Sequence, residues 1–170
     1  MAKTLYRDKF LTVTVSDINV RGKKIAWHTY KEIDAAIVLP VMDDGRIVLE
    51  NQYRHGIRKH MIEVPAGLIE KGEKPIEAAK RELEEETGYV AGKIRPMFKE
   101  FYNPAFSNRT FYYFLATDLS RGKVRLDESE IIKPILMAPE QVEKMIRAGR
   151  LHDHKTMVSF LYYKNYLMGK

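Results

Sequence analysis

The 170-residue chain contains no cysteine. Disulfides, thiolate metal sites and cysteine nucleophiles are therefore excluded, and the absence fits a reducing cytoplasm. No apolar run approaches the ~18 residues that a membrane-spanning helix needs. The first ten residues carry Lys3, Arg7, Asp8 and Lys9 and lack the apolar centre of a signal peptide or anchor. No membrane partner is expected. Internal repeats, low-complexity tracts and Gly/Ser/Pro-rich linkers are also missing, which favours one domain with at most a small appendage. Neither sign of charge dominates: 29 Lys and Arg stand against 23 Asp and Glu, a net charge of +6. The basic residues are scattered, so they read as a solvated surface rather than a nucleic-acid face. The excess still favours anionic partners without choosing among nucleic acid, nucleotide and phosphate.

What is present begins with strand patterns. Leu11, Val13 and Val15 alternate with Thr12, Thr14 and Ser16, the period of a half-buried strand. "RGKK" (21–24) reads as a turn, and 25–30 alternates again as an antiparallel partner. "AAIVLPVM" (35–42) predicts a buried strand. "DDGR" (43–46) predicts a hairpin turn, with 47–54 as the return strand. Further strands are expected at 61–64, 97–102, 109–117 and 131–137. Helices are expected at about 75–87, with Pro75 at its start and Gly88 at its stop, at 139–148, and at 155–167. This order implies a mixed sheet with helices on its faces, an α+β fold. The N-terminal strand pair (1–33) would stand apart from the main domain (34–170).

The stretch "RELEEETG" (81–88) concentrates four glutamates in eight residues. On a helix Glu82, Glu85 and Glu86 share an arc of roughly 100°, beside the apolar arc of Ile76, Ala79 and Leu83. Three anions at this spacing repel one another and weaken an isolated helix. A hard divalent cation would relieve that repulsion, and carboxylate oxygens are the donors it prefers. Glu84 points elsewhere and reads as surface.

Upstream, Gly67 and Glu73 complete a fixed spacing with Arg81, Glu82, Glu85, Glu86 and Gly88. A chance match at a given start has a probability on the order of 10⁻⁸. "GLIEKGEKPIEAAKRELEEETGY" (67–89) resembles the box of the Nudix hydrolases, departing only where Tyr89 replaces an aliphatic residue. The resemblance implies a Nudix-type α/β/α sandwich around a mixed sheet. It further implies magnesium, or manganese, held by Glu82, Glu86, Glu85 and the Ala66 carbonyl, with Glu85 either a ligand or a water-orienting group. Arg81 would orient the cluster. "IEVPAGLIEKGE" (62–73), Pro104 in "FYNPAF", "LDESE" (126–130) and the stretch 141–163 resemble the ADP-ribose pyrophosphatase branch of the family. That branch implies hydrolysis of ADP-ribose to AMP and ribose 5-phosphate by a homodimer. Glu128 or Glu130 would serve as base, with Glu128 preferred. Arg54 would clamp the diphosphate, and Phe10 and Trp27 would stack on adenine. His152 and His154 read as capping or surface residues rather than a metal pair.

Rival readings are another nucleoside diphosphate substrate (a nucleotide sugar or a dinucleotide polyphosphate), an oxidised nucleoside triphosphate, or a non-catalytic nucleotide-sensing module. The last would be expected to lose glutamates that this chain keeps.

Overall fold

The structure is a computed structural model and describes residues 2–128 and 130–169. Three N-terminal strands, β1 (Lys3–Arg7), β2 (Leu11–Val20) and β3 (Lys23–Glu32), form one antiparallel sheet in the order β1-β2-β3. The expected strand pair is thus a triplet. β1 escaped the sequence pattern because all five of its residues are exposed, so no apolar period marks it.

β4 (Ala35–Pro40) is buried from end to end, as its apolar run predicts. It pairs antiparallel with β7 (Ala66–Leu68) and parallel with β9 (Thr110–Arg121), which in turn pairs with β8 (Tyr89–Phe101). A second sheet joins β5 (Ile47–Arg54) to β6 (Lys59–Glu63) and to β10 (Ile132–Met137). The 43–46 turn does not open the hairpin ladder that its sequence predicts. The turn forms, with Met42 N–H donating to the Arg46 carbonyl at 2.8 Å, but only one bridge, Val41 to Ile47, follows it. β5 then leaves β4 for the second sheet.

The helices are α1 (Pro75–Thr87), α2 (Pro139–Arg147) and α3 (His154–Tyr162), the last continuing into a π-helical turn, Tyr163–Leu167. Side chains alternate across β4 and so build two core layers. Ile37 and Leu39 pack with Ile47, Leu49, Tyr113 and Phe160 on the α2/α3 side. Ala36 and Val38 pack with Val48, Phe114 and, from α1, Ala78, Ala79 and Leu83. This is the expected α/β/α layering. Burying Leu83 fully contributes roughly 2 kcal/mol and fixes which face of α1 looks away from the core. Tyr89 fills its aliphatic position from within the same layer.

α1 is bounded locally. Pro75 occupies its first turn, and the Glu77 side chain returns to the Lys74 amide at 3.3 Å. Gly88 ends it in the left-handed region, φ 69°, with its N–H on the Glu84 carbonyl.

The N-terminal sheet meets the domain through the loop between β8 and β9. Tyr30 N–H donates to the Phe106 carbonyl at 2.7 Å, and the Ser107 hydroxyl donates to Glu32 at 2.6 Å. Leu5, Tyr6, Val20 and Ile25 remain exposed on this sheet.

Candidate active site

α1 places its acidic edge against the β7 strand. Glu82 and Glu86 are buried, Glu85 partly so. Glu86 accepts a hydrogen bond from the Ala66 amide at 2.9 Å. Gly67 leaves room for the Glu82 carboxylate, which a Cβ there would displace. Arg81 ties the edge together. Its Nη1 donates to Glu82 at 2.7 Å and to Glu85 at 3.2 Å. Its Nε and Nη2 grip Glu73, and Nη2 also reaches the Leu68 carbonyl. Glu73 in turn accepts from the Glu70 amide, so it braces the 69–73 loop. The charge-assisted pairing with Arg81 holds Glu73 below the usual carboxylate range.

Burial has the opposite effect on the edge itself. It pushes Glu82 up to about 7 against the opposing pull of Arg81. Burial, reinforced by the charge of Glu50, pushes Glu86 well above the ordinary value. Glu50, on β5, is fully buried and pushed up to about 8, first by burial and then by the charge of Glu63. Among the described residues neither Glu50 oxygen has a hydrogen-bond partner.

Four residues further along β5 the charges balance. Arg54 grips Glu63 through Nε at 2.8 Å and Nη2 at 2.7 Å. Lys155, in the first turn of α3, donates to Glu63 at 2.8 Å and to Asp153 at 2.6 Å. Burial would raise Glu63, but these partners outweigh it and hold it low. Asp153 also caps α3, accepting from the Thr156 amide and hydroxyl at 2.9 and 2.7 Å. The Thr156 hydroxyl oxygen accepts from the Val64 amide, tying α3 to the strand that leads into Ala66.

Both groups open onto one cleft of about 660 Å³, lined by Arg54, Arg81, Glu82, Glu85, Glu86 and Glu130 among others. That volume suits a nucleotide-sized ligand. Glu130 arrives on the loop between β9 and β10, which is docked on the end of α1. Gly122 N–H donates to the Gly88 carbonyl and Arg125 N–H to the Glu85 carbonyl, each at 2.8 Å. Glu130 accepts from the Asp127 amide at 2.9 Å. Glu128 is exposed and does not line the cleft. Phe10 lines the rim of its own chain's cleft, beneath Lys9 at 4.4 Å. Trp27 stays outside it, stacked 5.9 Å from Phe106 with Nε1 donating to the Ala105 carbonyl. Glu84 is half-buried against the 122–123 loop rather than plain surface.

The donor set fits a hard dication. Among the described residues Arg81 is the cation bonded to this edge, through Glu82 and Glu85, and Glu50 has no counter-charge bonded to it. Among the described residues no three acidic or imidazole side chains already form a closed cage. Arg81 Nη1 bridges Glu82 to Glu85, while Glu86 turns to the Ala66 amide.

Sequence reading passed over Lys155, Glu50, Glu63 and Arg125. For Lys155 the signal was present. Asp153, Lys155 and Thr156 form a capping pattern at a helix start, overshadowed by the histidines on either side of Asp153. Those histidines do local work: His152 contacts the Gly149 carbonyl, and His154 pairs with Glu100 at 3.4 Å.

Fold and site together are those of a Nudix hydrolase, and residues 31–158 match the NUDIX domain. The chain belongs to this family. It is 34% identical over 161 residues to the ADP-ribose pyrophosphatase of Bacillus subtilis (strain 168), covering 93% of this chain and 87% of that one. It is 29% identical to the methanol dehydrogenase activator of Bacillus methanolicus, with the same coverage. Its fold superposes on the crystal structure of an ADP compounds hydrolase with a TM-score of 0.89, at 22% identity, over 99% of this chain and 92% of that one. No helix among the described residues is long and apolar enough to cross a membrane.

Proposed function

We propose that this Nudix hydrolase cleaves the diphosphate of ADP-ribose with magnesium, manganese also serving, to give AMP and ribose 5-phosphate. The observation that carries the reading is the junction of the buried Glu82–Glu86 edge, Arg54 and Glu130 on a single cleft. The likeness to the Bacillus subtilis ADP-ribose pyrophosphatase supports ADP-ribose as the substrate. A dication held by the oxygens of that edge would supply counter-charge to the diphosphate and make a coordinated water more acidic.

The residues of the chain do the rest. Glu82, Glu85, Glu86 and the Ala66 carbonyl provide oxygen donors. Arg81 keeps Glu82 and Glu85 in register through its bonds to both. Arg54 spends Nε and Nη2 on Glu63, which fixes the guanidinium plane and leaves Nη1 for a phosphate oxygen. Glu130 takes the proton of the attacking water; its carboxylate lines the cleft whereas that of Glu128 does not. Phe10 stacks on the adenine at the rim. The exposed apolar residues of the N-terminal sheet pair two copies into a homodimer in the cytoplasm. In that dimer Trp27 reaches adenine only in the partner's cleft, since it lies outside its own.

Product analysis with ADP-ribose, GDP-mannose, diadenosine polyphosphates and 8-oxo-dGTP in MgCl₂ tests the assignment. AMP and ribose 5-phosphate from ADP-ribose, at the highest kcat/KM of the panel, is the expected result. Preference for any other member would replace the substrate while leaving the reaction class intact.

A further inference from the structure

Glu50 has no place in the machinery described so far. It is completely buried on the central part of β5, a position that ordinarily rejects an unpaired carboxylate. Val48, Glu50 and Gln52 project from the same face of the strand. Val48 packs in the layer beneath α1, with Leu83, and Gln52 lines the cleft. Glu50 therefore lies between the base of α1 and the cleft floor. Both its oxygens and the Gln52 Oε1 are buried with no hydrogen-bond partner among the described residues. The cations that could have answered it are committed elsewhere: Arg54 and Lys155 both bond Glu63. Its charge is the largest one acting on Glu86.

A buried acid without a partner is destabilising. A chain that needed only packing here would carry an apolar residue, as β5 does at Val48 and Leu49. We propose that Glu50 is a further carboxylate of the cation site, a positioning residue behind Glu86 whose negative charge tightens the hold of the Glu82–Glu86 edge on a divalent cation. The inference rests on the Nudix cation site of the proposed function and extends it to a residue outside the box. Residues placed one layer behind metal ligands change metal affinity by about 10–100-fold.

The test is direct Mn²⁺ binding, followed by electron paramagnetic resonance at pH 8 without substrate, in wild type, Glu50→Gln, Glu50→Asp and Glu84→Gln. Glu50→Gln is expected to weaken Mn²⁺ binding at least tenfold while raising the melting temperature of the metal-free protein. Glu50→Asp, which keeps the charge, is expected to recover most of the lost affinity, and Glu84→Gln to bind like wild type. If Glu50→Gln does not fold, Glu50→Leu is read in its place. Mn²⁺ affinity within twofold of wild type in the neutral variant would overturn the proposal and leave Glu50 a packing residue. Equal weakening in the Gln and Asp variants would overturn it too, since shape rather than charge would then matter. Failure of wild type itself to bind Mn²⁺ would instead remove the cation site on which the proposed function stands.

Discussion

Two buried charge clusters share the floor of one cleft and have opposite characters. In the first, Arg54, Glu63, Lys155 and Asp153 alternate in sign, and every contact is between 2.6 and 2.8 Å. In the second, Glu50, Glu82 and Glu86 crowd together with Arg81 bonded to only one of the three. The first cluster is complete within the chain, so it fixes structure: it anchors α3 to β6 and aims Arg54. The second is short of positive charge, so it weakens the isolated fold and is stabilised by whatever cation enters. Buried acids shifted this far are a mark of functional sites.

The sharpest way to break the contrast is to remove a glutamate from each kind of neighbourhood. Glu86→Gln is expected to lower kcat/KM on ADP-ribose by roughly 10³-fold with little loss of stability, as removal of one electrostatic partner at a reacting phosphate does. Steady-state kinetics with MgCl₂ checks this.

Lys155→Met breaks the balanced cluster instead. Glu63 keeps Arg54, but Asp153 and Glu63 lose a shared, nearly buried cation. The expected cost is about 3–5 kcal/mol in urea unfolding. A loss under 1 kcal/mol would mean the cluster is not what anchors α3.

pH separates the clusters as well. Glu50 and Glu82 titrate near 8 and 7 in the folded, metal-free chain, above their unfolded values. Their protonation stabilises the fold fully at low pH, and this is lost as pH rises through those folded values. Glu63 and Glu73 are held low, so their contribution is already complete above the ordinary carboxylate range. The melting temperature in EDTA should therefore fall between about pH 5 and pH 8, and MgCl₂ should reverse most of the fall at pH 8. A flat profile would show that the acidic edge is not strained.

Glu84→Gln should have the smallest effect, within about twofold in kcat/KM, because Glu84 faces the 122–123 loop and not the cleft. Equal loss in Glu84→Gln and Glu86→Gln would contradict the assignment of faces on α1.

Much of this was legible in the residues because it is local. α1 has its proline, its left-handed glycine and its apolar arc within one segment. Gly67 and the glutamates are read by spacing alone. What was not legible depends on partners far along the chain. The 43–46 turn signals a hairpin, but nothing local says that β4 will take β9 and β7 and release β5. Glu50 looks like an ordinary polar position in "IVLENQYR" until the α1 layer and the α2/α3 layer close over the two faces of β5. In "LDESE" Glu128 reads as the preferred base; the docking of the loop on α1, through Gly122 and Arg125, brings Glu130 to the cleft instead. Three-residue β7 is too short to show a period.

The most direct test of the account is calorimetric titration of MgCl₂ into the protein, with and without a non-hydrolysable ADP-ribose analogue, in wild type and Glu82→Gln/Glu86→Gln. Saturable Mg²⁺ binding that tightens with the analogue and vanishes in the double variant is the predicted result. Binding that persists unchanged without the two glutamates would contradict the claim that this edge holds the catalytic cation.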